Sequence, residues 1–421
     1  MTKRLLTVIY LDDGSSPRLT AMLSACLKTA EESLGMDAEV LSWDRIADGA
    51  VTSLNSRLLL MAVPLGHEGI NDRYYQFLAR IRREPSWFRG SLAGLVIDGS
   101  DELYTKSTAT ELVFSANRAG CRFVGRPLVE ATGELNNFHV LAQVAACSRE
   151  EAYRRALLDL IDRLVNHSAM TESGWVIRPH SLKDAFPRPD EEGSIRRQRE
   201  AALGRKAPAA SSGSSSGELS DKASGKPVIL ALHASNRRVS NTLDLWQLTS
   251  RHLKKDCEVI EIGLRNGKIE DCAGCSFRTC LHFGEKGKCV YGGVIVDEVY
   301  PALLKASALV FLCANYNDAL QANVSACINR LTALFRRNFF WDKKIFGIVV
   351  SGYSGGDLIA RQLIGSLTMN KSFQLPPDFS LLVTANDRGS LVKLPGIEEQ
   401  AARFARRILS EVTGELPCTT E

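Results

Sequence analysis

The chain has 421 residues, is 45% hydrophobic and 24% charged, and carries a formal net charge of +4. That length is comfortable for two domains, each able to bury its own core. So small a charge excludes an electrostatic case for nucleic acid or an acidic membrane as partner, and no stretch approaches the roughly 18 apolar residues of a membrane span.

The N-terminus reads "MTKRLLTVIYLDDG". Lys3 and Arg4 precede an apolar run, as in a secretory signal. The run is short, lacks a small-residue cleavage site and ends at Asp12 and Asp13, so it reads as a first β-strand. A cytoplasmic setting follows, where thiols stay reduced. Further apolar runs predict strands at "RLLLMAVPLG", "LAGLVIDGS" and "CRFVGRPLV", and "EEAYRRALLDLIDRLV" has helical spacing. These elements define a first domain over residues 1–170.

Composition then changes. Residues 171–226 are first charged and then rich in Ser and Gly, ending in "GRKAPAASSGSSSGELSDKASGK". The absence of apolar periodicity predicts a flexible linker.

From residue 227 to 415 the alternation is clear. Strands are predicted at "PVILALHA", "DCEVIEIGL", "ALVFLCANY", "KIFGIVVSGYSGG" and "FSLLVTA". Helices are predicted at "NTLDLWQLTSRHLKK", "GGVIVDEVYPALLKAS", "SACINRLTALFRR", "GDLIARQLIGSLTMN" and "GIEEQAARFARRILSEV". Five apolar strands separated by helices imply an α/β fold with a parallel sheet covered on both faces. The first half repeats this order, so the chain reads as a tandem of two doubly wound five-stranded domains. Val8 to Ile97 spans 89 residues and Leu230 to Val349 spans 119, and the cysteine-rich segment lies in that surplus.

In such a sheet, ligands sit beyond the carboxyl ends of the strands. The loop "HASNRRVSNT" opens a helix, whose free N–H groups and positive dipole end suit a phosphate. Ser235, Arg237, Ser240, Asn241 and Thr242 are its candidate ligands. The equivalent loop of the first half holds Asp12 and Asp13, which repel phosphate.

"CAGCSFRTCLHFGEKGKC" places four of the chain's eleven cysteines within eighteen residues. Cys272, Cys275, Cys280 and Cys289 supply four soft thiolates, enough for a [4Fe–4S] cluster or a tetrahedral zinc. Unmetallated thiols are the third alternative. "RRNFFWDKK" (Arg336–Lys344) reads either as a site for a nucleotide phosphate or a partner, or as a solvated helix end with an aromatic anchor.

These loops together resemble the NADPH-dependent FMN reductase and iron–sulfur flavoprotein families. "ASNRRVSNT" is similar to the family's phosphate loop, with Ala234 in place of its usual glycine. "CANYNDALQANVSACINRL" is similar to the second loop through Tyr316 and Arg330, with Ala314 replacing a proline and Asn329 an aspartate. "VVSGYSGG" is similar to the third, which lies beside the flavin ring. "CAGC…KGKCV" is similar to the cysteine segment, with a looser spacing of C-x2-C-x4-C-x8-C. The resemblance spans residues 227–415, with the first half as a degenerate copy.

It implies two flavodoxin-like domains, and FMN at Asn315, Tyr316, Asn317, Ser351, Gly352, Tyr353 and Gly355 besides the phosphate ligands. It implies an FMN-dependent NAD(P)H oxidoreductase, in which NADH or NADPH delivers hydride to the flavin. Electrons then leave, through a [4Fe–4S] cluster if one is present, to a quinone, flavin, oxygen species or protein acceptor. Family members pair so that one subunit covers the other's flavin, which predicts an internal pseudo-dimer or a homo-oligomer here. Two alternatives stand beside this. One is a flavin and iron–sulfur electron-transfer protein that NAD(P)H does not reduce directly. The other is a zinc-stapled interaction protein.

Overall fold

The structure is a computed structural model that describes residues 3–166, 225–237 and 239–414. The linker expected over residues 171–226 lies outside the described residues except for its last two. Two five-stranded parallel sheets emerge. The first comprises β1 (Leu5–Tyr10), β2 (Asp37–Ser42), β3 (Leu58–Leu65), β4 (Leu92–Gly99) and β5 (Arg122–Thr132). The second comprises β6 (Val228–His233), β7 (Glu258–Gly263), β8 (Ala308–Ala314), β9 (Lys344–Ser351) and β10 (Ser380–Thr384).

Their orders are β2-β1-β3-β4-β5 and β7-β6-β8-β9-β10. Both are the flavodoxin-like order, in which winding reverses between the first and third strands. The central strands are continuous apolar runs because helices cover both faces. Leu59–Val63 and Ile348–Val349 are completely buried. β2 was not legible beforehand. It is an edge strand with only Leu41 buried, so it lacks the apolar run that marks its neighbours.

The registers locate the surplus between the halves. Val40 on β2 lies 20 residues before Leu60 on β3, whereas Ile260 on β7 lies 49 before Leu309 on β8. The additional chain sits between the second and third strands of the second sheet. It carries the four cysteines and a short helix, Phe277–Gly284, absent from the sequence reading.

One apolar core runs through both domains. It joins Leu112, Val113, Ala116 and Phe123 of the first to Phe340, Leu363, Leu367, Phe373 and Leu375 of the second. The helix Thr105–Arg118, which follows β4, packs on Gly356–Leu363 and its continuation Ile364–Met369, which follow β9. Like elements thus meet like, as across a two-fold axis. Phe123 and Leu375 exchange both backbone hydrogen bonds (3.0 and 3.1 Å). Arg122 grips Glu411 through two bonds of 2.5 Å. No helix among the described residues is long and apolar enough to cross a membrane.

Candidate active site and its family

The carboxyl ends of β6, β8 and β9 lie side by side in the second sheet, so the loops after them form one edge. All twelve residues expected to hold flavin are on these loops. Ser235, Arg237, Ser240, Asn241 and Thr242 follow β6. Asn315, Tyr316 and Asn317 follow β8, and Ser351, Gly352, Tyr353 and Gly355 follow or end β9.

The first loop is shaped by His233, the buried last residue of β6. Its Nδ1 accepts from the backbone N–H of Ser235 at 3.2 Å. That bond needs the neutral ring. Burial lowers the His233 pKa, against a smaller opposing pull from Glu261. With the folded-state pKa below the ordinary value, the unfolded chain takes up the proton first. Stability contributed here is complete above about pH 6.5 and is lost as pH falls below it. Urea melts between pH 7.5 and 5 are therefore expected to show a decline that His233→Phe flattens. An equal decline in both proteins would remove His233 as its source.

Ser240 caps the helix Asn241–Ser250 by accepting from Leu243 N. Asn241 is fully engaged elsewhere. Its Nδ2 donates to the carbonyls of Ala385 and Asp387, and its Oδ1 accepts from Gly389 N at 2.9 Å. Its side chain therefore ties this loop to the one after β10. What it offers an anion is its backbone N–H at the positive end of the helix. Thr242 is buried beside it. Arg237 reaches across the point where winding reverses and lies 5.5 Å from the centre of the Tyr316 ring.

A polar knot the sequence did not reveal joins the second and third loops. Asn315 Nδ2 donates to Asp318 Oδ1 (3.0 Å) and to Ser354 O (2.8 Å), and Asp318 N donates back to Asn315 Oδ1. Asn317 and Asp318 both adopt left-handed backbone, each at φ 56°. Two consecutive residues of a type tolerant of that region were the available signal. Gly355 closes the knot at φ 81°. Next to it, Ser351 is 3% exposed and its Oγ has no hydrogen-bond partner. A buried hydroxyl without a partner is a deficit of about 1–3 kcal/mol. Tyr353 is 80% exposed over the mouth, its Oη accepting from Asn386 Nδ2 at 3.1 Å. The donors present thus fit FMN, with an anion end at the helix start and polar groups beside the ring.

The first sheet differs at its corresponding edge. Asp12 and Asp13 accept from the N–H groups of Gly14 and Ser15, and Arg18 holds the buried Asp98 through contacts of 3.0 and 2.6 Å.

Cys272, Cys275, Cys280 and Cys289 line one cavity of about 220 Å³. Arg330, which resembles the family's second flavin loop in sequence, is instead buried behind this cavity. It donates to Glu270 O (3.0 Å) and Gly292 O (2.5 Å), and so clamps both ends of the cysteine segment. Burial raises the Cys275 and Cys280 thiols, and the Arg336 guanidinium opposes the shift at Cys280. Among the described residues no three His, Cys, Asp or Glu side chains converge to hold a metal ion. The four thiols share that one cavity. Cys313 and Cys327 are buried strand and helix residues, their thiols pushed up to about 12.

Three solved structures are similar to part of the chain. RosB, solved with bound 8-demethyl-8-formylriboflavin-5′-phosphate, is 15% identical, covers 46% of this chain and 82% of its own, and has a TM-score of 0.36. An azoreductase from Bacillus anthracis str. Sterne is 14% identical over 44% of this chain and 99% of its own, at TM-score 0.33. NAD(P)H:quinone oxidoreductase from Methanothermobacter marburgensis is 12% identical over 47% and 100%, also at 0.33. No curated protein matches the chain. The family model described as NADPH-dependent FMN reductase matches residues 227–387, which run from β6 into the loop after β10. Over that region the chain is similar to the NADPH-dependent FMN reductase family.

Proposed function

We propose that the C-terminal domain binds FMN across β6, β8 and β9 and passes electrons from NADH or NADPH to a small-molecule or protein acceptor. The observation that carries this reading is the single edge on which three polar loops meet around the buried, unpartnered Ser351 hydroxyl. Bound FMN supplies a two-electron carrier between nicotinamide and acceptor. The start of the helix Asn241–Ser250 receives the phosphate, helped by Ser235 and the charge of Arg237. Asn315 and Asp318 hold the second loop in place, Ser351 donates its free hydroxyl to the flavin, and Tyr353 flanks the entrance. A quinone, free flavin or oxygen species suits an entrance so open to solvent.

Titrating the intact chain with FMN is expected to quench flavin fluorescence to saturation, and anaerobic NADPH to bleach the bound flavin's visible band. Absent quenching overturns the reading. Quenching without bleaching leaves an electron-transfer flavoprotein instead of a reductase. Ser351→Ala adds a sharper test. It is expected to stabilise the FMN-free protein by about 1 kcal/mol while weakening FMN about tenfold, because one buried hydroxyl changes from deficit to partner only when flavin is present. Equal effects on both forms would show that Ser351 does not meet the flavin.

The four-thiol cavity favours a second reading for its own site, a soft metal or iron–sulfur centre at Cys272, Cys275, Cys280 and Cys289. All four line one cavity, and one buried arginine fixes both ends of their segment. Iron, zinc and acid-labile sulfide measured on anaerobically purified protein decide this reading, and none of the three at one equivalent per chain leaves the cysteines as thiols.

A further inference from the structure

A second cleft, of about 540 Å³, opens between the two domains and is separate from the flavin edge. Such a volume falls within the roughly 300–1,000 Å³ of small-molecule sites. Its charged lining comprises Lys106, Arg126, Arg163 and Arg336 with the carboxylates Glu130 and Asp159, and its aromatic lining Phe138, Phe335 and Phe339. The same Arg336 lines the four-cysteine cavity.

Arg126 is presented by an unusual piece of backbone. Along the β4–β5 pair, Ala93 faces Phe123 but Leu95 faces Leu128, so β5 spends five steps where β4 spends two. Residues between Phe123 and Leu128 bulge out of the ladder, and Arg126 on that bulge adopts φ 52°. Bulges of this kind re-aim side chains beside functional sites, and an arginine in left-handed backbone is strained. The bulge is held from both sides. Arg163, 6% exposed, donates to Gly125 O at 2.7 Å and to Arg126 O. On the other side Gly125 packs so closely on Ser372 of the C-terminal domain that an added Cβ would lie 1.9 Å from its carbonyl oxygen. A merely solvated arginine requires none of this scaffolding.

The charges are unequal. Lys106 pairs with Glu130 at 3.7 Å and Arg163 with Asp159 at 2.9 Å. Arg126 and Arg336 have no carboxylate partner among the described residues, and Arg336 lies 4.5 Å over the Phe277 ring. The aromatic lining is equally ordered, with Phe339 stacked on Trp341 at 5.4 Å and edge-on to Phe335 at 5.0 Å. The Arg126 guanidinium, without a carboxylate partner and lining one cleft with aromatic side chains, selects a flat ring bearing an anionic group.

We infer that the interdomain cleft is a binding site for a planar aromatic anion, with Arg126 as its anion receptor and Phe339 as its ring platform. It accounts for the basic and aromatic stretch Arg336–Lys344, which the flavin site leaves unused. The inference does not rest on flavin binding.

The test uses the intact chain and three probes, followed by calorimetry with and without excess FMN. The probes are naphthalene-2-sulfonate, its uncharged sulfonamide and inorganic sulfate. The sulfonate is expected to bind at least about tenfold more tightly than either of the others, since it alone engages both linings. Arg126→Asn keeps left-handed backbone accessible. It is expected to abolish the preference for sulfonate over sulfonamide while leaving the melting temperature and any FMN affinity unchanged. Phe339→Ala is expected to weaken both naphthyl probes and leave sulfate unaffected. Equal binding of sulfonate and sulfonamide, undiminished binding by Arg126→Asn, displacement of FMN by the sulfonate, or no binding at all would each overturn the inference.

Discussion

Gly355→Ala is expected to raise the FMN dissociation constant by about a hundredfold, which corresponds to about 2.7 kcal/mol. Gly355 sits at φ 81°, where an L side chain is strained. The space a side chain needs is already taken, since an added Cβ would lie 2.0 Å from Asp318 Oδ1 and 2.7 Å from Asn315 Nδ2. Those atoms form the knot that fixes the second loop to the third, so the methyl group drives both loops apart at the flavin edge. The cost falls on binding more than on folding, because the knot lies at the exposed end of the sheet and not in the core. Fluorescence titration gives the affinity and urea denaturation the stability. A variant that binds FMN as the parent does would show that the flavin does not depend on this edge.

Asn117→Leu is expected to lower the stability of the whole chain by roughly 3 kcal/mol. Asn117 is 0% exposed at the end of the helix Thr105–Arg118. Its Nδ2 donates to Cys121 O (2.9 Å) and Pro376 O (2.6 Å), and its Oδ1 accepts from Phe379 N (3.0 Å). Two of these three bonds cross from the first domain to the second. Leucine has similar bulk but leaves a buried N–H and two carbonyls unpartnered, the most damaging kind of hydrogen-bond loss. Because one apolar core spans both sheets, the loss is expected in a single unfolding transition seen by every probe. Two separated transitions, with only the first shifted, would mean that the domains fold independently. The same argument predicts that residues 226–421 expressed alone self-associate through the face around Phe340, Phe373 and Leu375, which the first domain covers. A monomeric fragment that binds FMN normally would assign the first domain no covering role.

The amino-acid sequence by itself determined the tandem of two parallel sheets. Apolar runs such as Leu58–Leu65 and Lys344–Ser351 are strands buried on both faces, which no other element matches at that length. Loop residues with hydroxyl, amide and guanidinium groups at Ser235–Thr242 marked the carboxyl edge, because few other roles need so many donors at a helix start. The edge strand β2 escaped notice for the opposite physical reason, since one side of it faces solvent and its apolar signal is thin. Only the tertiary structure decided what depends on side chains meeting across long separations. Asn241 spends its carboxamide on Ala385, Asp387 and Gly389, and Arg330 clamps Glu270 and Gly292. Neither partner set can be read from local spacing. The shared core and the cleft that Arg126 enters arise where two sheets pack together, and periodicity along one chain carries no information about which buried face meets which.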